Sequence, residues 1–522
     1  MDLKKAVIGI ELGSTRIKAV LLDETRNIAA QGSFQWENKL VNGVWTYDMD
    51  LVHTGLQTCY AELKKDFEEN FNMPLDTVGV VGISGMMHGY LPFDKQGKQL
   101  AEFRTWRNRI TEKSACELSS LFNFNIPQRW SIAHLYQAIL NGEEHTKDIA
   151  FITTLCGYIH NLLTGQKVLG IGEASGMFPI DSNIYDYNGE MLEKFNNLVS
   201  SYGFDWKLKD ILPKPLRAGD NAGYLTEEGA LFLDPTGTLR AGIPFAPPEG
   251  DGDTGMAATN SVRLYTGNVS AGTSDFAMVV VDHQPGAHRE IDMITTPSGH
   301  PVAMVHCSNC TSDINAWVEM FYEFAQTLGL KPDMGELYTL MFKKALEGEA
   351  DCGGLLSYNY VSGEGITNLN EGRPLFVRMP DANLNLANFM RTHLMSALAT
   401  LKIGLDILKS KENVRIDKLY AHGGFFKTPE VGQRLLSAAA ESPVSVMKTA
   451  GEGGPYGMAL LAAYMIDNNG ESLEDYLDNT IFSQAESIEL MAPKEDIEGF
   501  EKFLERYKNS LDVEKTAVDK MR

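Results

Sequence analysis

Four stretches of this chain set small residues beside acidic or hydroxyl side chains: ELGST at 11–15, EGDGDTG at 249–255, SAGTSD at 270–275 and HGGFFK at 422–427. Glycine lets backbone approach a ligand closely, hydroxyls and amides hold phosphate oxygens, and neighbouring carboxylates hold hydrated magnesium. One such loop alone reads as a tight turn. Four of the same design point to a clamp for nucleotide phosphates. Neither GxxxxGK[ST] nor a strand-linked GxGxxG is present, so a P-loop or dinucleotide site is not supported. GIGEASG at 170–176 has the look of the second, but reads as lacking the strand before it and the helix after it. Two further loops carry a histidine and a tryptophan, GMMHGY at 85–90 and TWRNR at 105–109. Cys307 and Cys310 form the only CxxC pair; with no second pair and no His pair nearby, they read as small buried thiols rather than zinc ligands.

The elements that hold these loops follow from periodicity. AVIGIEL at 6–12 and IKAVLLD at 17–23 flank GST as two apolar strands, which reads as an opening hairpin. A helical pattern occupies about 50–70, and VGVVGISG at 78–85 is a central strand ending in glycine. The strand–turn–strand theme returns in SVRLYTGNVSAGTSDFAMVVVD at 261–282, so the two halves read as distant structural duplicates. FMRTHLMSALATLKIGLDILK at 389–409 has helical spacing, DKLYAHGG at 417–424 is a strand ending in paired glycines, and 486–522 reads as helix. The Pro- and Gly-rich stretch from Leu212 to Gly250 marks a domain boundary near its end.

Composition narrows the class. A chain of 522 residues exceeds what one hydrophobic core supports, so two domains with a cleft are expected. Lys plus Arg number 46 against 69 Asp plus Glu, and the net charge of −23 opposes nucleic acid and anionic membrane as partners. No run approaches the ~20 apolar residues of a membrane helix, and six cysteines make no disulfide framework. A cytoplasmic protein is expected. A homodimer, the commonest symmetric assembly, is the expected oligomer.

In order along the chain, GIELGSTRIK at 9–18, GMMHGY, TWRNR, GYIHNLLTGQ at 157–166, EASGMFPID at 173–181, LPKPLRAGDNAGYLTEEGA at 212–230, AGIPFAPPEGDGDTG at 241–255, SAGTS, HGG and GEGGPYGMALLAA at 451–463 resemble the successive motifs of the FGGY carbohydrate kinases. The likeness covers nearly the whole length, and GMMHG is similar to the sugar loop of the xylulokinase-like members. It implies an α/β fold of two ribonuclease-H-like domains of the actin and hexokinase type. The sugar-binding domain would span 1–248 and the ATP-binding domain 249–485, with a helical tail at 486–522. Domain closure would exclude water from the transfer.

The resemblance also implies roles. It places the catalytic base at Asp253, with Asp251 the competing choice; a carboxylate there accepts the proton of the attacking hydroxyl. Met87, His88, Trp106 and Asn108 would line the ketose site. Ser14, Thr15 and Lys18 would meet the transferred phosphate, Gly272 and Thr273 would form the second phosphate loop, and Gly423 and Gly424 the adenosine loop. Glu11 and Asp253 would hold Mg2+ with ATP. Two positions depart from the family's pattern: Glu11 stands where it has Asp, lengthening the carboxylate by a methylene, and Asn108 stands for the Asp of Trp-x-Asp, removing a charge. The implied reaction is phosphorylation of a ketose, D-xylulose first, with L-ribulose or another ketose or polyol next. A sugar-binding regulatory relative without catalysis and a chaperone-like or filament-forming ATPase are the other classes.

Overall fold

The computed structural model describes residues 1–447, 453–485 and 487–521. The chain divides into two compact units, Met1–Val262 with Met293–Val302 and Glu452–Gln484, and Arg263–Asp292 with Ala303–Gly451 and Ala485–Arg522.

The first unit is built on a five-stranded sheet. The opening strand Val7–Leu12 pairs antiparallel with Arg16–Leu22, which pairs in turn with Ile28–Gln35; on its other side it runs parallel to Val80–Gly85, and the two-residue strand Glu249–Gly250 follows. The register sets Leu12 opposite Gly85, and Gly250 opposite Gly85 as well. Three strands therefore release their loops at one edge, where open α/β sheets place their ligands. Helices cover both faces because glycines let them in: a methyl on Gly32 would lie 2.1 Å from Cys59 O of helix Met49–Phe71, and one on Gly9 would lie 2.1 Å from Pro455 O of helix Gly453–Asp467.

The second unit repeats the plan. Thr266–Ala271 pairs antiparallel with Asp275–Val280 and parallel with Lys418–His422, which pairs parallel with Val444–Met447. The hairpin followed by parallel strands is the order of the first unit, as the repeated strand–turn–strand pattern leads one to expect. Behind this sheet runs the 25-residue helix Leu386–Ser410. It carries two deeply buried basic residues. Arg391, 1 % exposed, pairs with Asp496, and Lys402 pairs with Asp406, Glu441 and Glu501.

The division differs from the expected boundaries at 248 and 485 for physical reasons. Glu249–Gly250 and the helix after it belong to the first sheet through pairing with Val80–Gly85. Gly453–Asp467 packs on the opening strand, and the closing helices Lys494–Asn509 and Leu511–Lys520 belong to the second unit, preceded by a strand at Ser487–Leu490 where helix was expected. GIGEASG also departs from expectation: a three-residue strand, Val168–Gly170, leads into the helix Ile171–Ser175. Both are too short for periodicity to reveal. All six cysteines are free, and Cys307 and Cys310 are buried.

Candidate active site

At the shared edge of the first sheet, Gly250 caps the helix Asp251–Ala258, so both aspartates of GDGDTG fall in its first turn. They face different ways. Asp253 is fully buried, and its carboxyl is so enclosed that a methyl on Gly172 would lie 2.4 Å from its Cγ. Burial first, then the charges of Glu249 and Asp251, push it well above the usual carboxylate range. Asp251 is partly exposed. Its Oδ1 accepts from Met87 N at 3.3 Å and Gly252 N at 2.9 Å, and burial raises it.

Behind this pair lie two more carboxyls. Glu249 accepts from Glu173 N at 2.8 Å and Gly172 N at 3.4 Å, filling the start of helix Ile171–Ser175 where a phosphate would otherwise be welcome. Its burial pushes it up to about 8. Glu173 is buried and raised well above its ordinary value by that burial. The cluster fits only because the facing positions lack side chains: a methyl on Gly250 would lie 2.2 Å from Met87 Cγ and 2.6 Å from Glu173 Oε2.

Glu11 is the penultimate residue of the opening strand, paired in register with Lys18. Burial and then the Asp251 charge push its carboxyl up to about 7, while Lys18 pulls the other way. The next residues form a turn clamped by three aromatic side chains: Trp36 Nε1 donates to Gly13 O at 2.7 Å, Tyr47 Oη to Ser14 O at 2.6 Å, and Trp106 Nε1 to Ser14 Oγ at 3.2 Å. Thr15 is exposed.

In the loop after strand Val80–Gly85, His88 adopts φ 70°, a left-handed conformation uncommon outside glycine, and Gly89 follows at φ 97°. His88 is 4 % exposed; its Nδ1–H donates to Gly176 O at 3.1 Å and its ring lies 6.3 Å from that of Trp130. Asn108 does not fit the sugar role implied for it. It is buried, its Oδ1 accepts from Trp45 N at 2.8 Å, and its Nδ2 donates to Trp45 O at 2.8 Å and Thr105 O at 3.0 Å. The amide ties its loop to strand Val44–Thr46, a task for which aspartate lacks the donor.

In the second unit the loop at Gly272 and Thr273 is braced from behind. Thr311 N and Oγ1 donate to Gly272 O at 3.0 and 2.8 Å, and Cys310 N donates to Thr273 O at 3.0 Å. Gly423, at φ 105°, presses on the strand before that loop: a methyl there would lie 2.3 Å from Ala271 O. Beside Gly424 opens a cavity of about 920 Å³ walled by Thr311, Asn315, Tyr338 and Phe342. That is the size and mixed polarity of a cofactor site, which typically measures ~300–1,000 Å³. Sequence reading missed its helical wall, Met334–Ala345, because nothing in that stretch resembles a nucleotide motif. Gly451 and Glu452, the start of GEGGPYGMALLAA, lie outside the described residues.

For magnesium, Glu11 and Asp251 are the pair that fits: they are close enough for the Asp251 charge to act on Glu11, and Mg2+ is held by one or two carboxylates together with phosphates and water. Asp253 is fully buried, which sets it apart from Asp251 as a ligand for a hydrated ion. Among the described residues the one three-carboxylate group tight enough for an ion, Asp406, Glu441 and Glu501, already holds the Lys402 ammonium.

The N-terminal domain model of the FGGY family of carbohydrate kinases matches residues 6–258, and its C-terminal domain model matches 267–466. The chain belongs to the FGGY family. It is therefore a carbohydrate kinase, with the two-domain α/β fold of that family. The xylulose kinase of Haemophilus influenzae is 21% identical over 519 residues, covering 96% of this chain and 98% of that one. Among solved structures, a ligand-bound xylulose kinase from Lactobacillus acidophilus matches with TM-score 0.78 at 16% identity, over 97% of this chain and 98% of that one. A gluconate kinase from the same organism matches equally, TM-score 0.78 at 17% identity, over the same shares. No helix among the described residues is long and apolar enough to cross a membrane.

Proposed function

We propose that this kinase transfers the γ-phosphoryl group of ATP to a neutral ketose, D-xylulose before L-ribulose or another ketose or polyol, with Asp251 as the base. The observation that carries the reading is the contrast between two aspartates in one helical turn, Asp251 partly exposed and gripped by the sugar loop's Met87 N, Asp253 sealed. This replaces the sequence-based choice of Asp253.

The first unit holds the acceptor through Met87 and His88, with Trp106 beside the Ser14 turn. The second unit holds the nucleotide in the cavity next to Gly424 and its phosphates at Gly272 and Thr273. The sugar hydroxyl attacks the γ-phosphorus, the bond from that phosphorus to the β–γ bridging oxygen breaks, ADP leaves, and the hydroxyl proton passes to the Asp251 carboxylate. The raised affinity of Asp251 for protons suits it to that acceptance. Glu11 and Asp251 would hold magnesium, which would supply charge neutralisation at the phosphates. Lys18, opposite Glu11, adds positive charge on the same edge. The free thiols and the ATP donor suit a cytoplasmic enzyme.

An aldonate such as gluconate is the specific competing acceptor. The sugar loop's Met87 N already donates to the partly exposed Asp251 carboxylate, and a sugar carboxylate brought there meets like charge. ADP release measured with ATP and, separately, D-xylulose, L-ribulose, glycerol and gluconate tests this. A ketose should give the highest kcat/KM. Gluconate as the best acceptor, or ATP turnover indifferent to every acceptor, sinks the proposal.

A further inference from the structure

The nucleotide cavity carries two ammonium groups that the reaction above leaves unused. Lys343, in the last turn of helix Met334–Ala345, and Lys427, directly after the short turn Gly424–Phe426, both line it. Both are exposed, and neither ammonium group makes an ion pair or hydrogen bond with a described residue. Their neighbours show the contrast: Lys344, one residue on from Lys343, pairs with Glu347 at 2.5 Å. In a chain with 69 acidic residues against 46 basic ones, two unpaired cations in one cavity run against the average field. Two acids line the same cavity: Asp333, whose Oδ1 is committed to its helix by accepting from Glu336 N at 3.0 Å, and Glu336, against which the two lysines balance the charge before any phosphate enters. The wall at Thr311 runs directly onto Gly272, so an occupant of the cavity adjoins the phosphate loop.

We propose that Lys343 and Lys427 are binding residues for the phosphates of the donor, so that affinity rises with the number of phosphates the nucleotide carries. Ammonium groups on flexible stems reach phosphate oxygens without a fixed geometry, and charge-assisted hydrogen bonds are about twice as strong as neutral ones. The glycine loops then shape the site while the lysines supply its charge. This rests on the cavity being the nucleotide site.

Calorimetric titration of the full chain with ATP, ADP and adenosine, each also on Lys343→Met and Lys427→Met, separates the two ideas. Each variant should bind ATP and ADP about 10-fold more weakly, with adenosine unchanged, as expected when a charged hydrogen bond is lost. Inorganic tripolyphosphate should compete with ATP on the unaltered protein and less so on either variant. Both variants binding ATP within about two-fold of the unaltered protein, or losing adenosine in the same proportion as ATP, overturns the assignment of the lysines. Failure of adenosine and ATP to bind the unaltered protein overturns the nucleotide reading of the cavity, and this inference with it. Circular dichroism on both variants checks that these exposed substitutions leave the fold intact.

Discussion

The backbone N–H of Met87 donates to Asp251 Oδ1 at 3.3 Å, joining the sugar loop to the first residue of the helix Asp251–Ala258. One contact thus sets the direction of the carboxylate and the position of the loop that is to present the sugar. Asp251→Asn keeps the shape and the acceptor oxygen but loses the proton-accepting charge. It should lower kcat by about 100- to 10,000-fold with ATP affinity unchanged, whereas Asp253→Asn should stay within about 10-fold of the unaltered enzyme. A coupled assay of ADP release on both folded variants decides; the reverse ranking returns the base to Asp253.

Glu11 is longer by one methylene than the residue the family pattern leads one to expect, and its carboxyl sits against Gly454, where a methyl would lie 2.2 Å from Oε1. Glu11→Gln should raise the Mg2+ concentration for half-maximal rate by at least ~10-fold while leaving the KM for the sugar nearly unchanged, the size of effect seen when a metal's immediate surroundings are altered. Rates titrated with Mg2+ at saturating sugar supply the measurement. An unchanged Mg2+ requirement removes Glu11 from the metal's shell.

Much of the frame was legible because it rests on local pattern. The hairpin around Gly13 shows as two apolar runs flanking small residues, and the helix Leu386–Ser410 as a long Pro-free stretch of helical spacing. The choice between Asp251 and Asp253 for the proposed base was not legible for a geometric reason. Two aspartates two positions apart in a helix point about 200° away from each other, so one faces the site and one the core, and composition cannot say which. Asn108 was misread because its partner, Trp45, lies 63 residues earlier in an isolated two-stranded ladder. The place of Gly453–Asp467 depends on Gly9 meeting Pro455, a contact across most of the chain.

Gly457 is the point where the helix Gly453–Asp467 crosses the helix Asp251–Ala258. A methyl there would lie 1.9 Å from Thr254 O, a backbone atom that cannot swing aside. Gly457→Ala should therefore destabilise the first unit by about 3 kcal/mol, the upper range for overpacking, although alanine favours helix. It should also weaken turnover, because Thr254 directly follows Asp253 in the helix that Asp251 begins. Thermal unfolding and kcat measured on the same preparation check both. A variant as stable as its parent means that the two helices separate more readily than their packing implies.

His160 offers a pH-dependent test of the first unit's core. It is buried, its Nε2–H donates to Ala222 O at 3.0 Å, and burial lowers its pKa to about 4 against the ordinary 6.5. The depressed value fixes the sign. Below about pH 6.5 the unfolded chain takes up a proton that the folded chain refuses, so this histidine's contribution is complete above 6.5 and is lost as pH falls toward 4. Between pH 7 and pH 5 the loss amounts to about 2 kcal/mol. Glu11 and Glu249, raised to about 7 and about 8, act in the opposite direction over an overlapping range, since their folded forms bind protons that the unfolded chain gives up. The total stability curve therefore hides the histidine, and a difference between variants is needed. His160→Gln keeps a donor for Ala222 O and cannot titrate. Urea unfolding of both proteins at pH 7 and pH 5 should show the parent losing about 2 kcal/mol relative to the variant on acidification. An equal response of the two would mean that His160 takes up its proton in the folded state, so that its site is not as dry as its burial indicates.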